Sequence, residues 1–366
     1  MAFVAIVAGI FIIVVVLADL VHTLVTTTRS RGRWFPTQVL YRLSWSIVRS
    51  LGRRIEDDHR KKIFYGTFAP LSVIGMLVTW VILQIVGFGL IWWGIGDIQG
   101  AETLFDATYY SGVVYLTLGF GEIVPAAALP RVGALVEAFS GVLTTALVIG
   151  YLPALYAAYS EREQQLLMLD DGSEERITPT NLVLSRCIGG DISGLDDFFK
   201  QWEAWTAQVM ETHTTFRMLV LFRSQHPGQN WVTGLGLVMD TALHAQLMAG
   251  CHTGPSYWLI RRGTRLLQLL TEGADLGEKQ AEFDAAFGDS NAERLRPLYD
   301  RLDAAGFPML AYDEARARSL ALRGAYAPQL EFMIDSLDAP RGFWGHRIGK
   351  PLAPPTTDPS LAAGTH

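Results

Sequence analysis

The chain has 366 residues, of which 50% are hydrophobic and 18% are charged, and its formal net charge is −6. So large an apolar fraction argues against an ordinary soluble enzyme. The long hydrophobic runs lie almost entirely in residues 1–159, whereas residues 160–366 carry 27 acidic against 19 basic residues and are typical of a water-soluble part. The acidity of this second part argues against a nucleic-acid partner.

The first predicted element is a membrane helix over residues 3–27, within an N-terminal segment 1–28. Its sequence "AFVAIVAGIFIIVVVLADLVHTLV" lacks the basic start of a signal peptide, and its apolar run is too long for one. We therefore predict that the helix is retained. Asp19 and His22 lie one turn apart near its inner end, where they form either a pH-sensing pair or a pair that snorkels and contacts the following basic loop.

A basic loop follows at residues 29–62, with ten basic against three acidic residues. The positive-inside rule predicts that such a loop is cytoplasmic. Within it, "TQVLYRLSWSIVRSL" predicts an amphipathic helix on the inner membrane surface. The apolar face of this helix comprises Leu40, Leu43, Ile47, Val48 and Leu51. The helix is either a simple membrane anchor or a lever that passes motion from a cytosolic domain to the membrane helices.

Two further runs, 64–95 and 130–158, are long enough to cross about 30 Å of hydrocarbon. The segment 102–116 between them is apolar and aromatic, but at about 15 residues it is too short to span, which predicts a re-entrant half-helix. The three spans predict an outside N-terminus and an inside location for residues 160–366. We group residues 63–160 as a pore domain.

The C-terminal part has helical periodicity and predicts an all-α cytosolic domain over 161–345, followed by a disordered tail over 346–366. Its predicted helices lie at 195–213, 231–250, 257–270, 276–287, 290–305, 311–323 and 328–338. The sequence contains no Rossmann-type nucleotide motif and no Ser/His/Asp, Cys/His or phosphate-loop constellation. We therefore predict neither an enzyme nor a bound cofactor.

Few side chains of the C-terminal part suggest a site. Cys187 and Cys251 lack metal-type spacing and are predicted to be reduced, buried thiols. His213 and His226 flank an apolar stretch, and a structural role explains that spacing better than a metal site does. A regulatory ligand of unknown kind on this domain stays an open alternative.

The glycine-rich turn at residues 117–122, within "GVVYLTLGFGEIVP", lies between the last two spans. Two glycines separated by one residue permit backbone conformations that other residues avoid, so consecutive carbonyls can point the same way. Around an axis, such carbonyls form stacked oxygen rings that replace the water shell of a cation, and Thr117 adds a ring of hydroxyls. Leu118 and Phe120 are expected to face away and pack around the rings. Because the chain has only one such turn and four surround an ion, a homotetramer is predicted.

The hexapeptide "TLGFGE" at 117–122 resembles the selectivity filter of potassium channels, whose usual form is T-V-G-Y-G-D. It departs from that form at Leu118 and Glu122, and Leu116 stands where many potassium-selective pores have a second hydroxyl residue. The resemblance implies that K⁺ is the transported ion. The implied ion-binding residues are Thr117, Leu118, Gly119, Phe120 and Gly121. "FRSQHPGQNW" and the surrounding C-terminal half are similar to an uncharacterised group of bacterial potassium-channel-family proteins.

The stretch "VEAFSG" at 136–141 resembles the inner helix of bacterial inward-rectifier channels, which carry a Glu four residues before a hinge glycine. The resemblance implies that Glu122, Arg131 and Glu137 support the filter. Glu137, an ionisable residue inside a membrane helix, is either a buried brace behind the pore helix or a part of the ion path.

Six residues of this helix are predicted to take part in gating or to line the pore: Gly141, Val142, Thr145, Ile149, Gly150 and Pro153. Val142, Thr145, Ile149 and Pro153 recur on one helical face, which either lines the cavity, as the resemblance implies, or packs against another helix. Pro153 is expected to bend the helix and Gly150 to ease that bend. We predict a constriction around 149–157 that closes by hydrophobic dewetting.

Together these features predict an all-α membrane protein with three transmembrane helices, a re-entrant pore helix and filter, and an all-α cytosolic C-terminal domain. The leading functional interpretation is a tetrameric, potassium-selective channel in the plasma membrane, the inner membrane of a bacterium, with lipid and K⁺ as partners. The alternatives are a non-selective monovalent cation channel and a non-conducting membrane-anchored signalling or scaffold protein. A voltage sensor of the usual kind is not predicted, because no helix carries Arg at every third residue.

Overall fold

A computed structural model describes residues 1–24, 35–169, 177–187, 193–224, 230–249, 254–287 and 291–341 of the chain. Within these residues the chain forms 13 α-helices, which confirms the predicted all-α fold class. The predictions for His226, Cys251, residues 25–34 of the first span and basic loop, and the tail 346–366 concern residues outside these ranges.

The N-terminal half contains five helices and two very short strands. The helices are α1 (Ala2–Leu24), α2 (Pro36–Gly52), α3 (Asp58–Ile95), α4 (Leu104–Tyr115) and α5 (Ala128–Leu167). The strands are β1 (Ile98–Gln99) and β2 (Val124–Pro125). Helix α4 and the two strands lie between α3 and α5, in the order β1, α4, β2.

The C-terminal half contains eight α-helices and one 3₁₀ helix in the described residues. They are α6 (Pro179–Arg186), α7 (Ser193–Thr215), η1 (Arg217–Leu221), α8 (Trp231–Ala245), α9 (Pro255–Leu270), α10 (Gly277–Phe287), α11 (Asn291–Ala304), α12 (Tyr312–Gly324) and α13 (Ala327–Ser336). Seven of the α-helices correspond to predicted ones, whereas α6 and η1 were not predicted.

Three helices are long and apolar enough to cross a membrane, in agreement with the three predicted spans. The candidate spans are Ala2–Thr23, Ile63–Ile95 and Ala128–Leu167. Helix α3 begins earlier than its predicted start at residue 64, and α5 continues beyond its predicted end at residue 158. Apolar periodicity stops at the first charged residues, whereas a helix continues through them because its backbone hydrogen bonds do not depend on polarity.

Helix α1 packs closely along α3 through small residues. A side chain on Gly9 would overlap the Gly87 carbonyl oxygen, and one on Gly94 would lie 2.7 Å from the Ala2 carbonyl oxygen. Membrane helices associate closely at such small residues because lipid provides no hydrophobic drive between them. Helix α1 is therefore an integral part of this bundle.

Asp19 in α1 fixes the start of α2. Its buried carboxylate accepts hydrogen bonds from the Thr37 backbone N–H (2.9 Å), the Thr37 hydroxyl and Trp80 Nε1 (3.1 Å). The N-cap residue of α2, Phe35, supplies no side-chain cap, so Asp19 provides one from another helix. The ring of His22 lies 5.3 Å from that of Phe35. Asp19 and His22 therefore contact the predicted basic loop as expected, but Asp19 is buried rather than snorkelling.

The chain divides into two compact units. The membrane unit comprises residues 1–160 together with 213–222, and the C-terminal unit comprises 161–212 and 223–366. The inclusion of residues 213–222 in the membrane unit differs from the predicted cytosolic domain, which runs unbroken over 161–345. The domain boundaries themselves stay predictions.

Helix α8 forms the centre of the C-terminal unit, and all of its 15 residues are buried. Its one acidic residue, Asp240, accepts hydrogen bonds from the Tyr326 hydroxyl (2.5 Å) and from Arg323 Nη2 (3.0 Å). Burial raises the pKa of Tyr326 well above its usual value, and the negative charge of Asp240 raises it further. This tyrosine therefore stays a hydrogen-bond donor. The acid is thus paired and satisfied inside an apolar core.

Candidate functional site

Helix α4, which precedes the glycine-rich turn, begins with a capping box. The Thr103 hydroxyl accepts a hydrogen bond from the Asp106 backbone N–H (3.2 Å), and the Asp106 carboxylate accepts one from the Thr103 backbone N–H (2.8 Å). The Thr103 hydroxyl also donates to the Asp106 carboxylate (2.8 Å). This bond, followed by that from the Thr103 backbone N–H, lowers the pKa of Asp106, so the carboxylate stays charged at the positive end of the helix dipole. The start of α4 is fixed in this way.

Helix α4 ends in a Schellman motif. The Thr117 N–H donates to the Val114 carbonyl (3.0 Å) and the Leu118 N–H donates to the Val113 carbonyl (2.8 Å). This motif needs a left-handed residue directly after the C-cap, Leu116, and Thr117 has a φ of +56°. Glycine usually takes that position, because a β-branched residue is strained there. Thr117 therefore adopts a strained backbone conformation at the point where α4 becomes the turn.

The glycine-rich turn alternates between the two hands of backbone conformation. Gly119 and Gly121 have φ values of +63° and +85°, so with Thr117 every second residue of 117–121 has positive φ. Leu118 and Phe120, between them, do not have positive φ. Only the glycines accept such angles without strain, which explains their spacing in the sequence.

The turn is open on one side within a single chain. Leu118 is 53% exposed and Phe120 is 63% exposed, so the packing predicted around them is not provided by their own chain. No heavy atom lies within 4 Å of where a side chain at Gly119 or Gly121 would begin. At the end of the turn, the Tyr109 hydroxyl of α4 donates a hydrogen bond to Oε1 of Glu122 (2.5 Å), a predicted support residue.

A two-residue ladder closes the segment that contains α4 and the turn. Strands β1 and β2 are antiparallel, with Ile98 opposite Pro125 and Gln99 opposite Val124. The Arg131 guanidinium Nε donates to the Pro125 carbonyl (3.3 Å), which connects the start of α5 to this ladder. The sequence analysis missed the ladder because two residues carry no alternating pattern.

Glu137 is buried behind α4. Its carboxylate accepts hydrogen bonds from Trp92 Nε1 on α3 (2.7 Å) and from the Ser111 hydroxyl on α4. The Ser111 hydroxyl also lies 2.9 Å from the Ile85 carbonyl oxygen on α3. Glu137 therefore connects all three helices of this region, which is the geometry of the brace, one of its two predicted roles.

A second buried polar contact lies one turn further along α5. The Ser140 hydroxyl donates to Gln84 Oε1 (2.7 Å), and Gln84 Nε2 donates to the Thr144 hydroxyl (3.2 Å). The sequence analysis did not single out Gln84 or Ser111. A polar residue inside an apolar run is nevertheless a usable signal, because membrane helices retain such residues where they find partners.

Gly141 on α5 lies against the C-terminal end of α4. A side chain at this position would overlap the Tyr115 carbonyl oxygen, in the last residue of α4. Gly141 was predicted as a hinge, and the structure gives it a different requirement, the absence of a side chain. No heavy atom lies within 4 Å of a side-chain position at Gly150, the other predicted gating glycine.

The predicted cavity-lining face of α5 is exposed along its length. Val142, Thr145, Ile149 and Pro153 are all exposed, and the Thr145 hydroxyl donates to the Gly141 carbonyl of its own helix (2.9 Å). Only 17% of the apolar stretch of α5 that could cross the membrane is buried within the chain, against 33% of the corresponding stretch in each of the other two spans. Helix α5 is thus the span with most surface left for other contacts.

The remaining candidate residues do not converge. No group of three or more His, Cys, Asp or Glu side chains in the described part of the chain could hold a metal ion. His213 is buried at the end of α7, and His226, its predicted companion, lies outside the described residues. Cys187 is partly exposed rather than buried as predicted.

Comparison with known proteins bears on this same region. Residues 98–157, from β1 into α5, match the family described as "Ion channel". The match indicates an ion channel. The chain is also 26% identical over 201 residues to the "Uncharacterized membrane protein YdjJ" of Bacillus subtilis (strain 168), covering 52% of this chain and 56% of that protein. The chain therefore spans little more than half the length of this relative. No solved structure matches.

Proposed function

We propose that the protein is a homotetrameric channel that conducts K⁺ selectively through a pore lined by the glycine-rich turn. The observation that carries this proposal is the alternation of positive φ at Thr117, Gly119 and Gly121, directly after a short helix that lies between two spans. A backbone of alternating hand turns consecutive carbonyls to one side of the chain, and rings of such oxygens can replace the hydration shell of K⁺.

The surroundings of the turn support the same function. Helix α4 ends at the turn, so its partial negative charge adds to the carbonyl dipoles in attracting a cation. Glu122 and Arg131 connect the turn and its ladder to α4 and α5, and Glu137 holds α4 against the two spans. We propose that these three residues position the turn and that none of them lies in the ion path.

The exposed surfaces support a tetramer. Leu118 and Phe120 are apolar and exposed at the turn. Of the three spans, α5 has the smallest buried share of its apolar stretch. Neighbouring subunits around a fourfold axis would cover the turn side chains and part of α5, and the cavity face of α5 would surround the ion path. Four copies are needed because each chain carries one turn.

We propose a gate on α5 around Ile149–Ala157, on the exposed face that carries Ile149 and Pro153. Pro153 lies inside the helix and removes one of its backbone hydrogen bonds, which permits a bend there. Apolar side chains at a narrow point stop conduction by expelling water.

The charge distribution of the loops supports an N-terminus outside the cell and a cytoplasmic C-terminal unit, with the protein in the plasma membrane. The proposed function is transport rather than catalysis.

The test is a reversal-potential measurement on the purified protein in planar bilayers under opposed K⁺ and Na⁺ gradients. We expect a reversal near the K⁺ equilibrium potential. The matched control is Gly119→Ala, which should keep its assembly and lose current, because alanine is strained at a φ of +63°. A reversal near zero would overturn K⁺ selectivity in favour of a non-selective cation channel, an outcome that the hydroxyl-free Leu116 favours. Absence of current under every condition would overturn the channel itself.

A further inference from the structure

A short apolar segment from the C-terminal half is packed among the membrane helices. We call residues 216–222, "FRMLVLF", the wedge; it contains η1 and belongs to the membrane unit. Its residues Met218, Leu219 and Phe222 are buried, and they form one cluster with α1, α3 and α5. The cluster members on those helices are Val16, Leu20, Ala69, Val73, Met76, Trp80, Tyr151, Leu155, Ala158 and Tyr159.

The wedge makes two aromatic contacts and one hydroxyl–sulfur contact with α5. The ring of Phe216 lies 5.4 Å from that of Tyr151 in an edge-to-face arrangement, and the Tyr151 hydroxyl lies 3.6 Å from Met218 Sδ. The ring of Phe222 lies 5.5 Å from that of Tyr159. Aromatic contacts of this kind depend on ring position, so a shift of α5 would change them.

These contacts lie on the opposite face of the same helical turns that form the proposed gate. Tyr151, Leu155 and Tyr159 recur at four-residue spacing and are buried, whereas Ile149 and Pro153 also recur at four-residue spacing and are exposed. Pro153 lacks the N–H that would bond the Ile149 carbonyl, so the helix is weakened at the turn that contains Tyr151, where the wedge supports it.

The chain leaves the wedge directly into the C-terminal unit, where its next residue is anchored. The Arg223 guanidinium donates to the Leu337 carbonyl (2.8 Å) and to the Asp338 carbonyl, just beyond the C-terminus of α13. A cation is favoured at that position because it meets the negative end of the helix dipole. The segment that touches α5 is thus one residue away from a point fixed by the last described helix of the C-terminal unit.

We propose that the wedge is the element through which the C-terminal unit controls the gate: its packing against Tyr151, Leu155 and Tyr159 sets the bend of α5 at Pro153. This proposal rests on the proposed channel function and adds its means of regulation. A conformational change in the C-terminal unit would change conduction because it would stabilise the packing of the wedge more in one state of the gate, open or closed, than in the other.

Two variants with opposite effects on wedge packing test this in the full-length protein. Phe216→Ala removes the ring contact with Tyr151 and loosens the wedge. The Tyr151→Cys/Met218→Cys double variant, made with Cys187→Ser and Cys251→Ser, is cross-linked by a short bifunctional methanethiosulfonate reagent, which forms one disulfide with each thiol and locks the wedge to α5. We expect single-channel recordings in K⁺ to show open probabilities shifted in opposite directions, each by about tenfold or more. Reduction should reverse the effect of the lock.

The matched control is Arg217→Ala, in the same 3₁₀ turn but with an exposed side chain; it should leave the open probability unchanged. Reversal potential and unitary current should stay the same in all variants, because the described contacts of the wedge are with α1, α3 and α5. Unchanged open probability in both the loosened and the locked protein, with normal K⁺ current, would overturn the wedge proposal and leave the channel proposal standing.

A readout that does not need conduction separates the two proposals. The rate at which a water-soluble maleimide labels Ile149→Cys, with the native cysteines replaced by serine, reports the conformation of α5 at the gate. We expect Phe216→Ala to change this rate. If the wild-type protein carries no current, the channel proposal fails, and the labelling rate still decides whether the wedge sets α5: an unchanged rate would overturn it.

Discussion

At the scale of single residues, Thr117 joins the end of a helix to the start of the proposed ion path. Its left-handed backbone costs an ordinary residue about 1–2 kcal/mol, and glycine would avoid that cost. The chain has threonine there, and strained residues of this kind are concentrated at functional sites. The hydroxyl is the group that threonine offers and glycine lacks.

Thr117→Gly should therefore raise stability and lower selectivity. We expect the free energy of unfolding to increase by about 1 kcal/mol, because the strain at positive φ is removed, and the K⁺/Na⁺ permeability ratio to fall. Thermal unfolding and reversal potentials measure the two effects. Thr117→Ala is the matched variant: it also lacks the hydroxyl, but it keeps the strain and should gain no stability.

Gly141→Ala should damage the pore, whereas Gly150→Ala should not. The methyl group at Gly141 would overlap the Tyr115 carbonyl, so α5 must move away from α4, at a cost of about 1–3 kcal/mol. The methyl group at Gly150 meets no atom of the chain, and helix propensity favours alanine by about 1 kcal/mol. K⁺ current and thermal stability should both fall only in the first variant. Loss of gating in Gly150→Ala alone would show that helix flexibility matters more than close packing.

Glu137→Gln should keep conductance and selectivity, whereas Glu137→Ala should not. The glutamine oxygen can accept from Trp92 Nε1 and its amide can donate to the Ser111 hydroxyl, which then donates to the Ile85 carbonyl. Alanine leaves the buried Trp92 N–H unpaired, at a cost of about 1–3 kcal/mol. Unitary conductance and thermal unfolding of the two variants measure this. A large change of conductance in Glu137→Gln would put the carboxylate in the ion path.

At the scale of elements, α1, α2 and α3 form one assembly, joined by glycine contacts and by Asp19. The Asp19 carboxylate lies in α1, caps α2 and bonds Trp80 of α3. The exposed residues Leu43, Ile47 and Leu51 lie on one face of α2, as a helix at a membrane surface requires. Helix α2 is thus fixed at its N-terminus and apolar on its outer face.

Asp19→Ala should loosen the first turn of α2. Loss of a helix cap costs about 0.5–2 kcal/mol, which corresponds to amide exchange at Thr37 that is faster by about tenfold. Hydrogen exchange read by mass spectrometry measures this in the purified protein. Thr23→Val is the control, because the Thr23 hydroxyl contacts Asp19 only at 3.4 Å and takes no part in the cap. Equal exchange in the two variants would contradict a capping role for Asp19.

The sequence predicted long, periodic elements well and short contacts poorly. The three spans, α4 and seven of the C-terminal helices follow from apolar length and helical period. The β1–β2 ladder and α6 are too short to have a period, although Thr178 before Pro179 is a recognisable helix start. The apolar run of the wedge shows that it is buried, but not which helices bury it. Gly141 likewise cannot be assigned to bending or to close packing without knowing that Tyr115 faces it.

At the scale of the whole molecule, the tetramer makes a quantitative prediction. If subunits mix at random, equal amounts of wild-type and Gly119→Ala chains leave about one sixteenth of the assemblies free of the variant. When one altered turn blocks the pore, the K⁺ current should fall to about that fraction rather than to half. Flux assays on co-expressed protein measure it, and native mass spectrometry should give four times the 40.4 kDa of one chain. A current reduced only by half would argue for independent pores in each chain.

The fully buried helix α8 also matters for how the chain is made. A ribosome that delivers α8 to the membrane-insertion machinery presents 15 residues that are apolar enough to resemble another span. At 1.5 Å per residue they reach only about 22 Å of the roughly 30 Å needed, and Asp240 adds about 2.5–3.5 kcal/mol to the cost of insertion. We therefore expect the acid that Tyr326 and Arg323 hold in the folded core also to oppose the insertion of α8 into the membrane while the chain is made.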